Sequence, residues 1–135
     1  MSLQQAKQYF FEYTWFPTEA QLTTVGPTIF TVIPVKAGWR VLDVNARVMV
    51  AFHASSVIEV GDGGDDDGYI VGGNITEQTA GMYQGMGAYQ AGTSTTGREG
   101  KLYTTDDTID IAYTGDASAV AGSVLKLVAR MERIF

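Results

Sequence analysis

The residues best suited to chemistry lie in one acidic, glycine-rich string from Val60 to Tyr69. It holds four aspartates between glycines, Asp62, Asp65, Asp66 and Asp67. Hard cations such as Ca²⁺ prefer carboxylate oxygens held in tight turns. The EF-hand spacing fails, because aligning Gly68 with the glycine of that loop puts Gly63 first and Asn74 at the bidentate position. Since Asp and Gly also form turns, we interpret the string as a solvated turn between strands, with a cation site as the minor alternative.

Other catalytic patterns are weak. The chain has no cysteine and one histidine, His53, which excludes thiol nucleophiles, disulfides and multi-histidine metal sites. It also lacks the G-x-S-x-G, Walker and G-x-G-x-x-G patterns, so His53 is interpreted as a strand-end residue. Asp106 and Asp107 precede an alternating stretch and Asp110 lies on its polar face, so these carboxylates are expected in solvent or in turn caps, not as a glycosidase acid pair. The sequence predicts no enzyme, no cofactor and no bound metal.

Charge and composition limit the classes of partner that this chain is expected to bind. A net charge of -6 repels a phosphate backbone, which argues against nucleic acid. Charged residues make up only 18% of the chain, against about 25% in typical globular domains, and this favours assembly with other subunits. We find neither a secretion signal nor an apolar run long enough to span a bilayer, and therefore expect synthesis in the cytoplasm and no membrane partner.

Short alternating stretches between glycines predict strands. The clearest runs from residue 40 to 52, where one face would hold Leu42, Val44, Ala46, Val48, Val50 and Phe52. Further strands are predicted at residues 28–33, 57–60, 69–71, 101–104, 108–114 and 123–134, the last two joined as a long hairpin. Residues 80–97 are expected to form an irregular excursion. The count predicts a single all-β domain, a β-sandwich of about eight strands.

The amino-terminal segment concentrates aromatic residues. Six of the chain's aromatics fall within eight positions, Tyr9, Phe10, Phe11, Tyr13, Trp15 and Phe16. A strand over residues 10–15 would place Phe11, Tyr13 and Trp15 on one face. Such a face needs a partner surface, either the domain's own core or a neighbouring subunit. We divide the chain into an arm, residues 1–17, and a sandwich, residues 18–135, and predict that the six aromatics bind a partner.

Four segments carry a family resemblance: residues 38–52, 57–69, 79–83 and 100–114. Their strand order and turn chemistry resemble small structural proteins of tailed bacteriophages, of the kind found as head decoration or cement proteins. The resemblance implies a jelly-roll-like antiparallel β-sandwich that forms a homo-oligomer, expected to be a trimer. It further implies binding to the major capsid protein at the capsid surface of the virion. The aromatic arm is the predicted bridging element, because it lies outside the matched segments and carries the aromatic anchors.

Two other function classes stay open. A carbohydrate-binding module would use Trp39, Tyr83 and Tyr89 as a stacking platform. The resemblance in strand order and turn chemistry also fits a tail or fibre module of a virion. A calcium-dependent adhesin would use the aspartate string.

Overall fold

The computed structural model describes residues 7–84, 87–89 and 100–135. In this part it has eight strands and one short helix: β1 (Gln8–Trp15), α1 (Glu19–Leu22), β2 (Thr28–Val35), β3 (Trp39–Val50), β4 (Val57–Gly61), β5 (Gly81–Gln84), β6 (Lys101–Leu102), β7 (Asp107–Thr114) and β8 (Val124–Arg133). The predicted all-β class is confirmed.

The strands form two antiparallel sheets of unequal width. The larger has the order β1-β8-β3-β5, with β6 pairing farther along β3, and the smaller has the order β2-β7-β4. From β1 to β4, and again from β6 to β8, consecutive strands alternate between the sheets. This order is that of a jelly roll, as predicted.

The hairpin predicted for residues 108–134 is wrong. β7 pairs with β2 and β4, whereas β8 pairs with β1 and β3. Each strand has one continuous apolar face, and both faces are best buried by packing against each other across the sandwich. The connection at residues 115–123 therefore crosses from one sheet to the other.

Three other boundaries differ from prediction. β2 continues through Pro34 to Val35, which an edge strand tolerates because one side needs no N–H donor. Residues 69–71 form a single bridge, Val60 to Ile70, instead of a strand. Within the predicted excursion, β5 pairs with β3; residues 85–86 and 90–97 lie outside the described residues.

The inward face of β3 changes at two register shifts. The pairing with β8 slips between Val41 and Asp43 and again between Val48 and Val50. Each slip moves the following side chains relative to the face. Val41 is consequently buried in place of the predicted Leu42, and Val50 is 50% exposed.

The core lies between the two sheets. It contains a row of fully buried side chains from each of the two central strands: Leu125, Leu127, Ala129 and Met131 on β8, and Ile109, Ile111 and Tyr113 on β7. Trp15 closes one end of this core, with its ring centroid 5.2 Å from Phe30, 5.3 Å from Tyr113 and 5.9 Å from Phe52.

Gly73 and Gly100 allow the cost of backbone strain to be distinguished from the cost of steric overlap. Gly73 and Gly100 both have positive φ, 95° and 75°. A Cβ at Gly73 meets nothing within 4 Å, but at Gly100 it would overlap the Val41 carbonyl on β3. We expect Gly73→Ala to cost about 1–2 kcal/mol from its backbone conformation alone and Gly100→Ala to cost clearly more. Urea denaturation of the two variants checks this, and equal losses would contradict it.

Candidate functional site: an uncovered aromatic ledge and a buried ionic cluster

β1 pairs with β8 in unbroken register. All eight residues have partners, from Gln8 opposite Glu132 to Trp15 opposite Leu125. Direct antiparallel partners point to the same face, so the inward side chains of β1 are those opposite the buried row of β8: Tyr9, Phe11, Tyr13 and Trp15. The outward side chains are Gln8, Phe10, Glu12 and Thr14.

The smaller sheet covers only one end of this inward face. Trp15 is 4% exposed, whereas Phe11 and Tyr13 are each 37% exposed. The Trp39 ring of β3 packs against the same face, with centroids 5.2 Å from Tyr9 and 6.1 Å from Phe11. We call Tyr9, Phe11, Tyr13 and Trp39 the aromatic ledge. It faces the interior side of the sandwich but extends beyond the second sheet.

A groove continues the ledge between β1 and β2. Its volume is about 600 Å³, and none of the described residues that line it carries a charge. Trp15 and Phe30 approach one another there, while Tyr13, Phe16 and Ile29 remain exposed along its lining. The groove offers apolar contact together with the hydroxyls and amide of Tyr13, Thr18 and Gln21.

The six predicted partner-binding residues thus divide into three groups. Tyr9, Phe11, Tyr13 and Trp15 share the inward face of β1. Phe10 projects from the outward face and is 67% exposed, and Phe16 follows the strand and is 71% exposed. β1 itself is the edge strand of the domain's larger sheet. Contact with another subunit stays a prediction, as does the division of the chain at residue 17.

The second site is a buried ionic cluster centred on Asp62. Directly after β4, its carboxylate is fully buried and in ionic contact with the Lys101 ammonium of β6. The Tyr103 hydroxyl donates to it at 2.7 Å and the Tyr89 hydroxyl at 3.1 Å. The backbone N–H groups of Gly64 and Asp65 also donate, at 2.9 and 3.0 Å. The interpretation of the string as a solvated turn is therefore wrong for Asp62.

Hydrogen bonding keeps this pair charged. Burial opposes the charge of Asp62, but hydrogen bonds from Lys101, Tyr103 and Gly64 outweigh it and lower the pKa of the carboxyl. Burial likewise opposes the charge of Lys101, but hydrogen bonds to Asp62 and Tyr89 raise the pKa of the ammonium. Lys101 also lies 4.4 and 4.7 Å from the ring centroids of Tyr89 and Tyr103. The cluster ties the smaller sheet at β4 to the larger sheet at β6.

No sequence signal marked this cluster. Asp62 and Lys101 are 39 positions apart, and the intervening chain follows no motif. The tyrosines gave no hint either, since aromatic residues most often fill a core. Only the crossing of the chain between sheets brings the side chains of Tyr89, Lys101 and Tyr103 to Asp62.

The rest of the aspartate string forms a crowded surface turn. A side-chain hydrogen bond with Asp65, burial and the charges of Asp65 and Glu59 raise the pKa of Asp67 to about 6. No group of three or more Asp, Glu or His side chains in residues 7–84, 87–89 and 100–135 is arranged to hold a metal ion.

The other candidate catalytic residues, Asp110 and His53, make local hydrogen bonds. Asp110 is only 5% exposed and accepts a hydrogen bond from the Thr108 hydroxyl at 2.6 Å, so its predicted solvent exposure is wrong. Burial, followed by the nearby charges of Asp107 and Asp62, raises its pKa despite this bond. β3 ends at Val50, so His53 lies in the connection three residues beyond the strand and not at its end, with Nδ1 accepting from the Ser55 N–H at 3.2 Å.

The predicted sugar platform is not assembled. Trp39 begins β3, whereas Tyr83 pairs with Ala46, seven residues along, roughly 23 Å away at strand spacing. Tyr89 instead packs on Tyr69, with ring centroids 5.0 Å apart, and binds Asp62. The three rings therefore do not share one stacking surface.

The fold is an antiparallel jelly roll with an uncovered aromatic edge. This exposed edge is a surface suited to protein contact. No sequence model of a known protein family matches this chain, and no curated protein sequence matches it. Two solved chains share the fold. One belongs to the cyanophage Pam1 capsid asymmetric unit, with a TM-score of 0.60, 16% identity and coverage of 95% of this chain and 84% of that chain.

The other belongs to the acidic stable capsid of Helicobacter pylori bacteriophage KHP30, with a TM-score of 0.51, 12% identity and coverage of 93% and 86%. At these identities the likeness concerns the fold.

Within the described residues, α1 spans four positions, and no helix has the length and apolarity needed to cross a membrane.

Breaking the Asp62 pair should be costly. Lys101→Met leaves the Asp62 carboxylate buried without a countercharge, and we expect a loss of about 3–5 kcal/mol in the free energy of unfolding. The double variant Asp62→Asn, Lys101→Met should lose less than the sum of the single variants. Lys36→Met, which breaks an exposed pair with Asp106, is the control and should change stability little. Denaturant titration measures all four.

Asp67 should make stability depend on pH. Because its folded pKa of about 6 exceeds the ordinary 3.8, the folded protein binds this proton more tightly than the unfolded chain. Its contribution to stability therefore falls as pH rises through this range. We expect Asp67→Asn to raise the Tm more at pH 7.5 than at pH 4.5. Asp66→Asn, the exposed neighbour of equal charge, is the control, and an identical pH response in both variants would contradict the prediction.

Proposed function

We propose that this chain is a structural protein of a bacteriophage virion, and specifically a decoration or cement protein that binds the capsid lattice. The observation that carries the proposal is the shared fold with a chain of the Pam1 capsid asymmetric unit, which extends over 95% of this chain. The second capsid chain supports it with nearly equal coverage. The aromatic ledge supplies the contact surface that such a role requires.

The aromatic ledge is the proposed contact with the major capsid protein. Phe11 and Tyr13 expose aromatic area on an ordered strand, so binding them costs little conformational entropy. Buried aromatic side chains are the usual anchors of protein interfaces. A domain that bridges neighbouring capsid subunits in this way adds interface free energy, which expansion or internal pressure must overcome.

Self-association is part of the proposal. The low charged fraction of the chain and its exposed apolar side chains favour a homo-oligomer at the capsid surface, and we expect a trimer. The role is structural, not enzymatic. Asp62 supports this view, because five donors already occupy its carboxylate and leave it unsuited to proton transfer.

Capsid attachment tests the ledge. Phe11→Lys and Tyr13→Lys place a charge on the inward face of β1, and each should weaken attachment at least about tenfold, the effect of roughly 1.4 kcal/mol. Phe10→Lys is the matched control, since it lies on the same strand but points outward and should attach normally. Co-sedimentation with capsids of the encoding phage, prepared without this protein, gives the affinities.

Circular dichroism and the Tm verify that each variant is folded. Normal attachment of folded Phe11→Lys and Tyr13→Lys would show that the ledge is not the contact. Failure of the unaltered protein to bind these capsids would remove the proposed function itself.

A further inference from the structure

β1 is a long free edge of the larger sheet. It hydrogen-bonds to β8 on one side, and the strand order places no described strand on the other. Its eight residues span about 26 Å. In an antiparallel edge strand, alternate N–H and C=O groups point away from the sheet and are available to another strand.

This edge lacks the features that normally prevent strand addition. β2, the neighbouring edge of the smaller sheet, carries Pro34 and a register shift between Thr31 and Ile33. β1 has neither a proline nor a register shift. Its one charged residue, Glu12, is paired with Lys126 of its own sheet at 3.1 Å. Of the two edges, only β1 is open to regular pairing along its whole length.

The groove beside this edge selects an uncharged occupant. No described lining residue is charged, so a buried ionic side chain would lose its hydration without gaining a countercharge. An extended segment on β1 would point alternate side chains toward the interior side of the sheet. Apolar side chains at those positions would reach Tyr13, Trp15 and Phe30.

A second copy of this chain cannot pair with all eight residues of the edge. In a two-fold antiparallel pair of β1 strands, full overlap sets Gln8 opposite Trp15, although these residues face opposite sides. The pair must slip by one residue, and one of the two slips sets Glu12 against its own copy.

We propose that β1 receives an extended, uncharged segment of a capsid-lattice protein, which adds to the free edge as a further strand and seats apolar side chains in the groove between β1 and β2. This inference rests on the proposed function and specifies how its contact is made. Backbone hydrogen bonds supply the affinity, and the groove selects the side chains.

Amide hydrogen exchange on the full chain tests the proposal. The probe is the encoding phage's capsid prepared without this protein. In the free protein, the amides of residues 8–15 that point away from β8 should exchange fast. The amides of the same strand that are hydrogen-bonded to β8 should exchange slowly. On the capsid, the fast set should slow at least about tenfold, while β4, an edge strand of the smaller sheet, should keep its free rates.

The outcomes separate the two proposals. Attachment without added protection of residues 8–15 would overturn strand addition and leave the proposed function standing. No attachment would remove both. Protection that appears in the protein alone and grows with its concentration would show that a second copy occupies the edge, and would also overturn the proposal.

Discussion

Two rows of fully buried side chains, one on β7 and one on β8, hold the sandwich together. β7 is the central strand of the smaller sheet, and β8 lies between β1 and β3 in the larger one. Because each row is continuous and apolar, the two strands are most stable in opposite sheets with their rows in one core. The chain must therefore cross between the sheets from β7 to β8, as it does in the jelly-roll order.

The two sheets differ in width, and this difference produces the aromatic ledge. Pairing with β8 commits Tyr9, Phe11 and Tyr13 to the inward face, but the smaller sheet reaches only Trp15. Aromatic surface that would be core in a wider sandwich is therefore left against water. An apolar face held on a regular strand is costly to a lone domain and useful to an assembling one. The same pairing uses one edge of β1, and no described strand pairs with the other.

A second tie between the sheets is ionic. Asp62 and Lys101 join β4 to β6, and three tyrosines, Tyr69, Tyr89 and Tyr103, complete the hydrogen bonding. A buried pair of this kind contributes less net stability than apolar packing, but loss of either partner is expensive. It therefore imposes one arrangement on the end of β4. The remaining acids of the turn stay at the surface, where Asp65 and Asp67 repel each other.

The amino-acid sequence alone determined the strand class, most strand positions, and the aromatic side of residues 11, 13 and 15, because alternation along a strand is a local property. It also excluded thiol and multi-histidine chemistry. Tertiary structure decided which strands pair, where β3 shifts register, and that Asp62 is buried, because these depend on contacts between residues far apart in the chain. It also decided which face of β1 points inward, because that depends on the pairing with β8. The local pattern carries no record of how far the opposite sheet extends, so only the folded sandwich shows which aromatic residues remain uncovered.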